Sequence, residues 1–581
     1  MKANMEPENR SIGSIPRARF LRVIAICLFG PWVLATPQTA KLPQKSTPSG
    51  YRIAGTVVSK ADAHPLARVR VTLREAKEQQ KFESMVTAED GKFEFRDVPA
   101  GKYSLEGGKR GFIFARYDQH DQFSTAIVTG AGLDTETLVL RLAPNAVIAG
   151  KVLDEFGEPV RHATVTVYYD DHSTGVDQIH QFRSAQTDDL GAYEITPLRP
   201  GTYFLSANAK PWYAVHPPSE PRLSGSARSR SSNTGSDADR SADDPPAVDR
   251  SLNVAYPVTY YPDVEAADDA APISIQGGER VEADFHLNPV PSLHLLFRVP
   301  EGNNHQFFVP QLQQPAFDGF TPVQASGTQR VAPGVMEVTG VPAGRYNVRL
   351  FANGSALQMD GVDFTKDGEL IDTSKSEAAS QVKCSVQVPG EPTIPPNLTV
   401  ALRSGGRGIA VARPVDSKGE AELPEVAAGR YEVTVLGGGK RYSISHMSAE
   451  GADVSGHTLT VTAGSALSVS LTLASGSVDV EGTAKKAGKG FAGAMVVLVP
   501  KNPEVDHDLF RRDQSDLDGT FTLHGVVPGS YTLVAIENGW DLDWSKSAVI
   551  AAYAKHGRSV QVGSQGEHSM NVAEAVDVQS K

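Results

Sequence analysis

The sequence predicts an all-β protein built as a tandem array of about five β-sandwich modules. Three observations carry this. One glycine-anchored β-motif recurs five times with constant internal spacing. The composition, with 53 Gly and 38 Pro against 21% charged residues, suits many short strands joined by turns. The length, 581 residues at roughly 100–200 per domain, leaves room for four or five separate cores.

The clearest copy of the motif runs from Asp90-Gly91 through Phe93 and Phe95 to Val98-Pro99-Ala100-Gly101 and Tyr103. The second carries Gly191, Tyr193, Ile195, Gly201 and Tyr203, and the fifth Gly519, Phe521, Leu523, Gly529 and Tyr531. Two weaker copies lie between them, one with Gly334, Gly344 and Tyr346, the other with Gly419, Gly429 and Tyr431. In all five the glycines are ten residues apart and a Tyr follows the second by two. The first glycine suits a tight turn at positive φ. The apolar residues two and four positions later face one side of a strand. The segment around Pro99 and Gly101 breaks that strand and reverses the chain. The Tyr then falls at a sandwich corner, ring in the core and hydroxyl on nearby backbone. What is common to the copies is thereby assigned to structure, and function to what differs between them.

Opening strands precede three copies: Ile53-Ala54-Gly55-Thr56-Val57, Ile148-Ala149-Gly150-Lys151-Val152 and Val478-Asp479-Val480-Glu481-Gly482. The first two are followed by a turn and a β-branched run, Val69-Arg70-Val71-Thr72-Leu73 and Ala163-Thr164-Val165-Thr166-Val167, whose alternation implies one buried face. This combination resembles the carboxypeptidase regulatory-like family. The resemblance implies a transthyretin-like or Ig-like sandwich of roughly seven strands, related to carbohydrate-binding-like and collagen-adhesin B-type folds. It is specific over about 51–143, 144–205 and 476–535, and partial over 291–475, where Pro333 or Lys418 replaces the Asp before the first glycine. Over the whole chain the similarity is to exported multi-domain proteins of soil bacteria, acidobacterial ones especially.

Counting outward from each copy places modules at 50–143, 144–290, 291–383, 384–475 and 476–576, with a tail at 577–581. Ahead of them, Arg10, Arg17, Arg19 and Arg22 and the apolar run Val23–Ala35 fit a secretory signal peptide over 1–35, followed by a linker over 36–49. About 13 apolar residues fall short of the ~20 a spanning helix needs, so no membrane span is expected after signal removal. An exported protein, periplasmic or extracellular, follows. The second module is long because residues 217–253 are dominated by Ser, Arg, Asp, Pro and Gly, which predicts a disordered insert. After Trp540-Asp541-Leu542-Asp543-Trp544, an Ala-rich stretch ending at Gly557 predicts one short helix.

Catalytic signals are absent from the sequence. No His lies in an H-E-x-x-H or H-x-x-E spacing, and there is no G-x-S-x-G elbow, P-loop or G-x-G-x-x-G at a strand-to-helix junction. Neither an enzyme nor a cofactor or metal is expected. The clusters Asp118-Gln119-His120-Asp121 and Asp188-Asp189 lack the spacing of a calcium loop and read as solvated loops. Cys384, alone once the signal is removed, reads as a small buried hydrophobe. The net charge of −12 gives no basic footprint for nucleic acid. Trp540 and Trp544 are the candidate ligand-binding residues, as a sugar-stacking platform, against the alternative that they cap the last sandwich. The functional expectation is a non-catalytic binding or scaffold component of the bacterial envelope, with a polysaccharide or an envelope protein as partner. The alternatives are a structural stalk or adhesin, with or without Lys–Asn isopeptide cross-links, and an accessory part of a peptidase or glycosidase system.

Overall fold

The five motif copies adopt one arrangement in the computed structural model, which describes residues 50–581 apart from 131, 174, 176–177, 218–248, 299–309, 353–354, 374–379, 391–392, 405–408, 438–441, 476–477, 505 and 564–568. The expected signal peptide, the linker and most of the expected insert lie outside the described residues. In each copy the strand after the first glycine pairs antiparallel with an opening strand. The registers are Gly55↔Phe93, Gly150↔Tyr193, Phe297↔Met336, Cys384↔Ala421 and Gly482↔Phe521. The other edge of each opening strand takes a late strand in parallel, as in Gly55↔Leu138, Ile148↔Val281, Leu295↔Glu369, Val382↔Leu467 and Val480↔Met570. The strand after the second glycine joins the opposing sheet, with Leu73↔Leu105, Val167↔Leu205, Leu312↔Val348, Leu402↔Val433 and Leu498↔Leu533. Because side chains alternate at period two, each register turns its apolar set toward the facing sheet. Five separate clusters of buried residues result. The fold is therefore nearly all β, with one helix, Ser547–Ala554, among the described residues.

The first glycine of each copy is left-handed, at φ of 68°, 69°, 68°, 88° and 83° for Gly91, Gly191, Gly334, Gly419 and Gly519. Each Tyr hydroxyl donates to the carbonyl four residues back: Tyr103 to Pro99, Tyr203 to Arg199, Tyr346 to Pro342, Tyr431 to Ala427 and Tyr531 to Val527, all at 2.7–3.0 Å. In the fifth copy the ring lies across the second glycine, 3.3 Å from where a Cβ of Gly529 would stand. This bond ties the strand break to the strand that follows it. Tyr531→Phe keeps the buried ring and loses one hydrogen bond, so a destabilisation of about 1 kcal/mol is expected by urea unfolding.

One shared feature is carried by no single residue type. Between the two glycines every copy has a register shift, falling at Tyr51/Ile53, Ile195/Leu198, Leu293/His294, Ser380/Val382 and Val478/Val480. The motif strand carries one residue more than its partner. Asp97, Gly340 and Gly525 take left-handed conformations there, the geometry of a β-bulge that bends the strand toward the corner.

Two further apolar clusters lie outside the five cores. In the fifth sandwich, the strand Met495–Pro500 is buried along its whole length. Val496 and Leu498 face the sandwich core, while Met495, Val497 and Val499 face a second layer with Trp544 and Ile550 from the segment that carries the helix. A strand covered on both sides reads as a continuous apolar run rather than an alternating one. The second and third sandwiches meet around Tyr168, Tyr260, Ala316 and Phe317, where Tyr168 Oη and Thr321 Oγ1 are 2.6 Å apart. Cys384 is buried in the alternating strand Ser380–Gln387, and burial pushes its thiol up to about 12. At the described end of the expected insert, Arg250–Leu252 form a 3-10 turn, and Val215 N–H donates to Leu252 O.

Candidate functional site

The strand Arg511–Gln514 is polar throughout, and its period-two alternation continues to Asp516. Asp513 and Ser515 serve their own sandwich: Asp513 Oδ2 accepts from Thr522 N–H at 2.7 Å, and Ser515 Oγ donates to Phe491 O. Arg512, Gln514 and Asp516 turn the other way and meet the first sandwich. Gln514 Nε2 donates to Asp118 O and Thr125 Oγ1, at 2.6 and 2.7 Å. Asp516 accepts from Ala126 N–H at 2.9 Å and from Lys102 Nζ at 2.7 Å. Leu517 N–H returns a bond to Ala126 O and its side chain packs against the first core.

Comparison between copies shows what Asp516 has been released to do. Three residues before the first glycine, Asp188 and Asp416 cap their own turns, accepting from Leu190 and Ala192 N–H and from Lys418 and Glu420 N–H. In the fifth copy Asp518 accepts from Thr520 N–H instead, which leaves Asp516 to reach across. The first and last sandwiches are thus joined by Arg512 and Gln514 together with Asp516, a motif Asp that caps its own turn in other copies and bonds across here.

Arg512 is the centre of this contact. Its side chain is only 4% exposed. Nη2 donates to Asp121 Oδ2 at 2.8 Å and to Ser173 O of the second sandwich at 2.9 Å. Its guanidinium carbon lies 5.1, 5.4 and 4.7 Å from the ring centres of Phe123, Trp540 and Trp544. Aromatic faces and one carboxylate together replace the water lost by a buried cation. His120 stacks on Trp540 at 4.8 Å with a 6° interplanar angle, and its Nδ1 is 3.2 Å from Gln514 Oε1. At Gly175 the second sandwich comes so close that a Cβ would sit 2.6 Å from the Trp544 ring.

Burial raises the Asp513 carboxyl to about 6, against the bond from Thr522 N–H that favours its charged form. The folded value lies above the ordinary one near 3.8, so the folded state holds the proton more tightly. The contribution of Asp513 to stability is expected to be fully present below pH 4 and to be lost as pH rises through 6. Asp513→Asn removes the charge and keeps an acceptor for Thr522. Thermal unfolding should show it more stable than the native chain at pH 8, by about 1–2 kcal/mol after allowance for partial exposure, and no more stable at pH 4.

Where the three sandwiches meet, they frame an open cavity of about 550 Å³. The first sandwich contributes Lys60, Phe114, Arg116, Arg141 and the loop 118–121, the second Tyr169 and Arg199, the fifth Trp540. Four cationic side chains stand against two carboxylates, Asp118 and Asp121, in a chain whose net charge is −12. Among the described residues no group of three His, Cys, Asp or Glu is placed to hold a metal ion.

The structure separates the two candidate tryptophans. Trp540 lines the cavity, with its Nε1 donating to Gly493 O at 3.3 Å. Trp544 is 8% exposed, set edge-on to Phe510 within the outer layer of the fifth sandwich. Its ring is covered, so it supports Arg512 rather than offering a platform. The loop Asp118–Asp121, read from the sequence as solvated, is the surface on which the fifth sandwich docks. Asp189 pairs with Arg161 at 2.8 Å in an exposed loop. Sequence reasoning missed Arg512, Gln514 and Asp516, whose visible trace is a strand-length run with no apolar residue. It also missed Trp212, 83% exposed and the most exposed large aromatic side chain among the described residues, beside Tyr213, which donates to Glu155.

Two stretches of the chain are similar to known domain families. Residues 147–217 match the carboxypeptidase regulatory-like domain. Residues 49–129 match the model described as BOS complex subunit NOMO1-like, second beta sandwich domain. The regulatory-like match spans Gly191, Gly201 and Tyr203, so the shared motif lies inside it. No curated protein sequence matches the chain. Among solved structures, the TIE protein of Bacillus anthracis is similar at 10% identity over 74% of this chain and 76% of that one, with a TM-score of 0.16. The minor pilin GBS52 of Streptococcus agalactiae is similar at 13% identity over 42% of this chain and 97% of that one, with a TM-score of 0.20. Two B repeat units of the collagen binding protein of Staphylococcus aureus are similar at 11% identity over 73% and 99%, with a TM-score of 0.12. Among the described residues, no helix is long and apolar enough to cross a membrane.

Proposed function

We propose that the chain is an exported, non-catalytic binding or scaffold component of the bacterial envelope, taking a polysaccharide or an envelope protein as its ligand. The observation that carries this reading is the cavity walled by three sandwiches. Its lining mixes exposed cations with aromatic side chains, and the residues that frame it are those that differ between motif copies. Concave sites of this size, between ~300 and 1,000 Å³, are where proteins hold small ligands or the ends of larger ones. Trp540 belongs to this wall, and Trp544 acts behind it through Arg512. A stalk is the weaker reading, because the fifth sandwich is bonded to the first rather than standing at the far end of the chain. The test is a glycan array combined with cross-linked capture from the native envelope. Retention of a glycan or of one envelope protein, lost when the cavity is mutated, is expected. Failure of both arms would overturn the reading.

A further inference from the structure

Each charged group around the cavity either has a partner or lacks one. Asp121 is bonded to Arg512, and Asp118 takes hydrogen bonds from Gln514 through its carbonyl and from Thr125 through its carboxylate at 3.2 Å. The Asp121 charge is therefore paired from behind, on the side of the fifth sandwich, and Asp118 stands as one carboxylate held by neutral donors. Arg116 is taken by Glu106 at 3.3 Å. Lys60, Arg141 and Arg199 line the cavity from two sandwiches, and none of them has a carboxylate within ion-pair distance among the described residues. Three open cations facing one space leave it electropositive, and a cleft of one sign concentrates ions of the other.

We propose that this cavity binds the carboxylates of an acidic polysaccharide, a uronate-bearing chain, with Arg141 and Arg199 as the principal carboxylate ligands, Lys60 as a third charge and Phe114 beneath a sugar ring. The proposal rests on the binding function above and names its ligand class. A guanidinium fork matches a flat carboxylate in a way that a neutral sugar cannot use. Phe114 lines the cavity at 53% exposed, leaving a ring face for the C–H face of a pyranose. An acidic peptide is disfavoured by the backbone. It would add to the sheet edge at Ala115–Arg116, and there the Arg116 N–H is already held by Gln119 Oε1 at 2.9 Å. The engaged surface of Trp540, with His120 stacked on it, makes it a wall rather than a platform.

Calorimetric titration of the full chain with trigalacturonate, maltotriose and hexa-aspartate tests this. Trigalacturonate is expected to bind, maltotriose not, and hexa-aspartate at least about tenfold more weakly. Arg141→Gln with Arg199→Gln should weaken trigalacturonate by about tenfold or more, and 0.5 M salt should weaken the native interaction similarly. Trp212→Ala, outside the cavity, should leave it unchanged. Both arginines are exposed, so an unaltered unfolding midpoint is expected for the double variant. If that variant fails to fold, Phe114→Ala gives the same reading through a several-fold loss. Equal affinity for maltotriose, or binding undiminished in the variants, would overturn the proposal while leaving a binding function intact. Tighter binding of hexa-aspartate would reassign the site to acidic peptides. No binding of any probe also overturns it, and the envelope capture then decides separately on the broader function.

Discussion

Arg512→Ala is expected to cost about 3 kcal/mol and to loosen the contact between the first and last sandwiches. Removing one partner of a buried ion pair typically costs ~3–5 kcal/mol, because the remaining charge stays behind in poor solvent. Here the remaining partner, Asp121, keeps a side chain about one third exposed, so the lower end of the range applies. The loss would be compounded by the three rings around the guanidinium, which would line a void. Arg512→Lys retains the charge and gives up the guanidinium plane among the rings, and about half the effect is expected. Urea unfolding of the three proteins measures both losses. A cost below about 1 kcal/mol for Arg512→Ala would show that the cage does not hold the sandwiches together.

Gly519→Ala is expected to be comparably damaging, at about 3 kcal/mol, and a second glycine separates the two causes. Gly519 and Gly111 have nearly the same backbone, at φ of 83° and 84°. Left-handed backbone costs a residue with a Cβ about 1–2 kcal/mol. At Gly111 nothing lies within 4 Å of the added carbon, so the backbone term stands alone. At Gly519 the carbon would be 2.5 Å from Ala484 O and 2.7 Å from Gly490 Cα, both backbone atoms. Relief requires moving the opening strand, whose Ala484 N–H is bonded to Gly519 O at 2.7 Å. Calorimetry of the two single variants should therefore show a large drop in the unfolding temperature of the fifth sandwich for Gly519→Ala and a small one for Gly111→Ala. Equal drops would mean that conformation alone explains the glycine.

The legible part of this protein was local. Two glycines at fixed spacing, apolar residues at period two and a Tyr two places on are all determined within about fifteen residues. The structure realises them as a left-handed turn, a strand and a hydroxyl bonded four residues back. The bulge inside that motif was not legible, since Asp97, Gly340 and Gly525 share a backbone conformation and no side chain. The docking contact was hidden for a different reason. Ala126 and Asp516 are 390 residues apart, and a polar run such as Arg511–Asp516 reads as a solvated strand unless its partner is known. The same holds for Asp118–Asp121, where Asp121 pairs with Arg512 and the Asp118 carbonyl accepts from Gln514. Trp540 and Trp544 look equivalent in sequence. They diverge because one lines the junction and the other fills the layer behind it.

The first and last sandwiches dock through residues 512–517 and so frame the cavity. Amide hydrogen exchange of the full chain at Ala126 and Leu517 tests it most directly. Both N–H groups lie outside any strand and both are bonded across the contact, Ala126 to Asp516 Oδ1 and Leu517 to Ala126 O. Slow exchange at both positions is expected in the native chain, with protection reduced together in Arg512→Ala. Exchange at the rate of an open loop in the native chain would contradict the account.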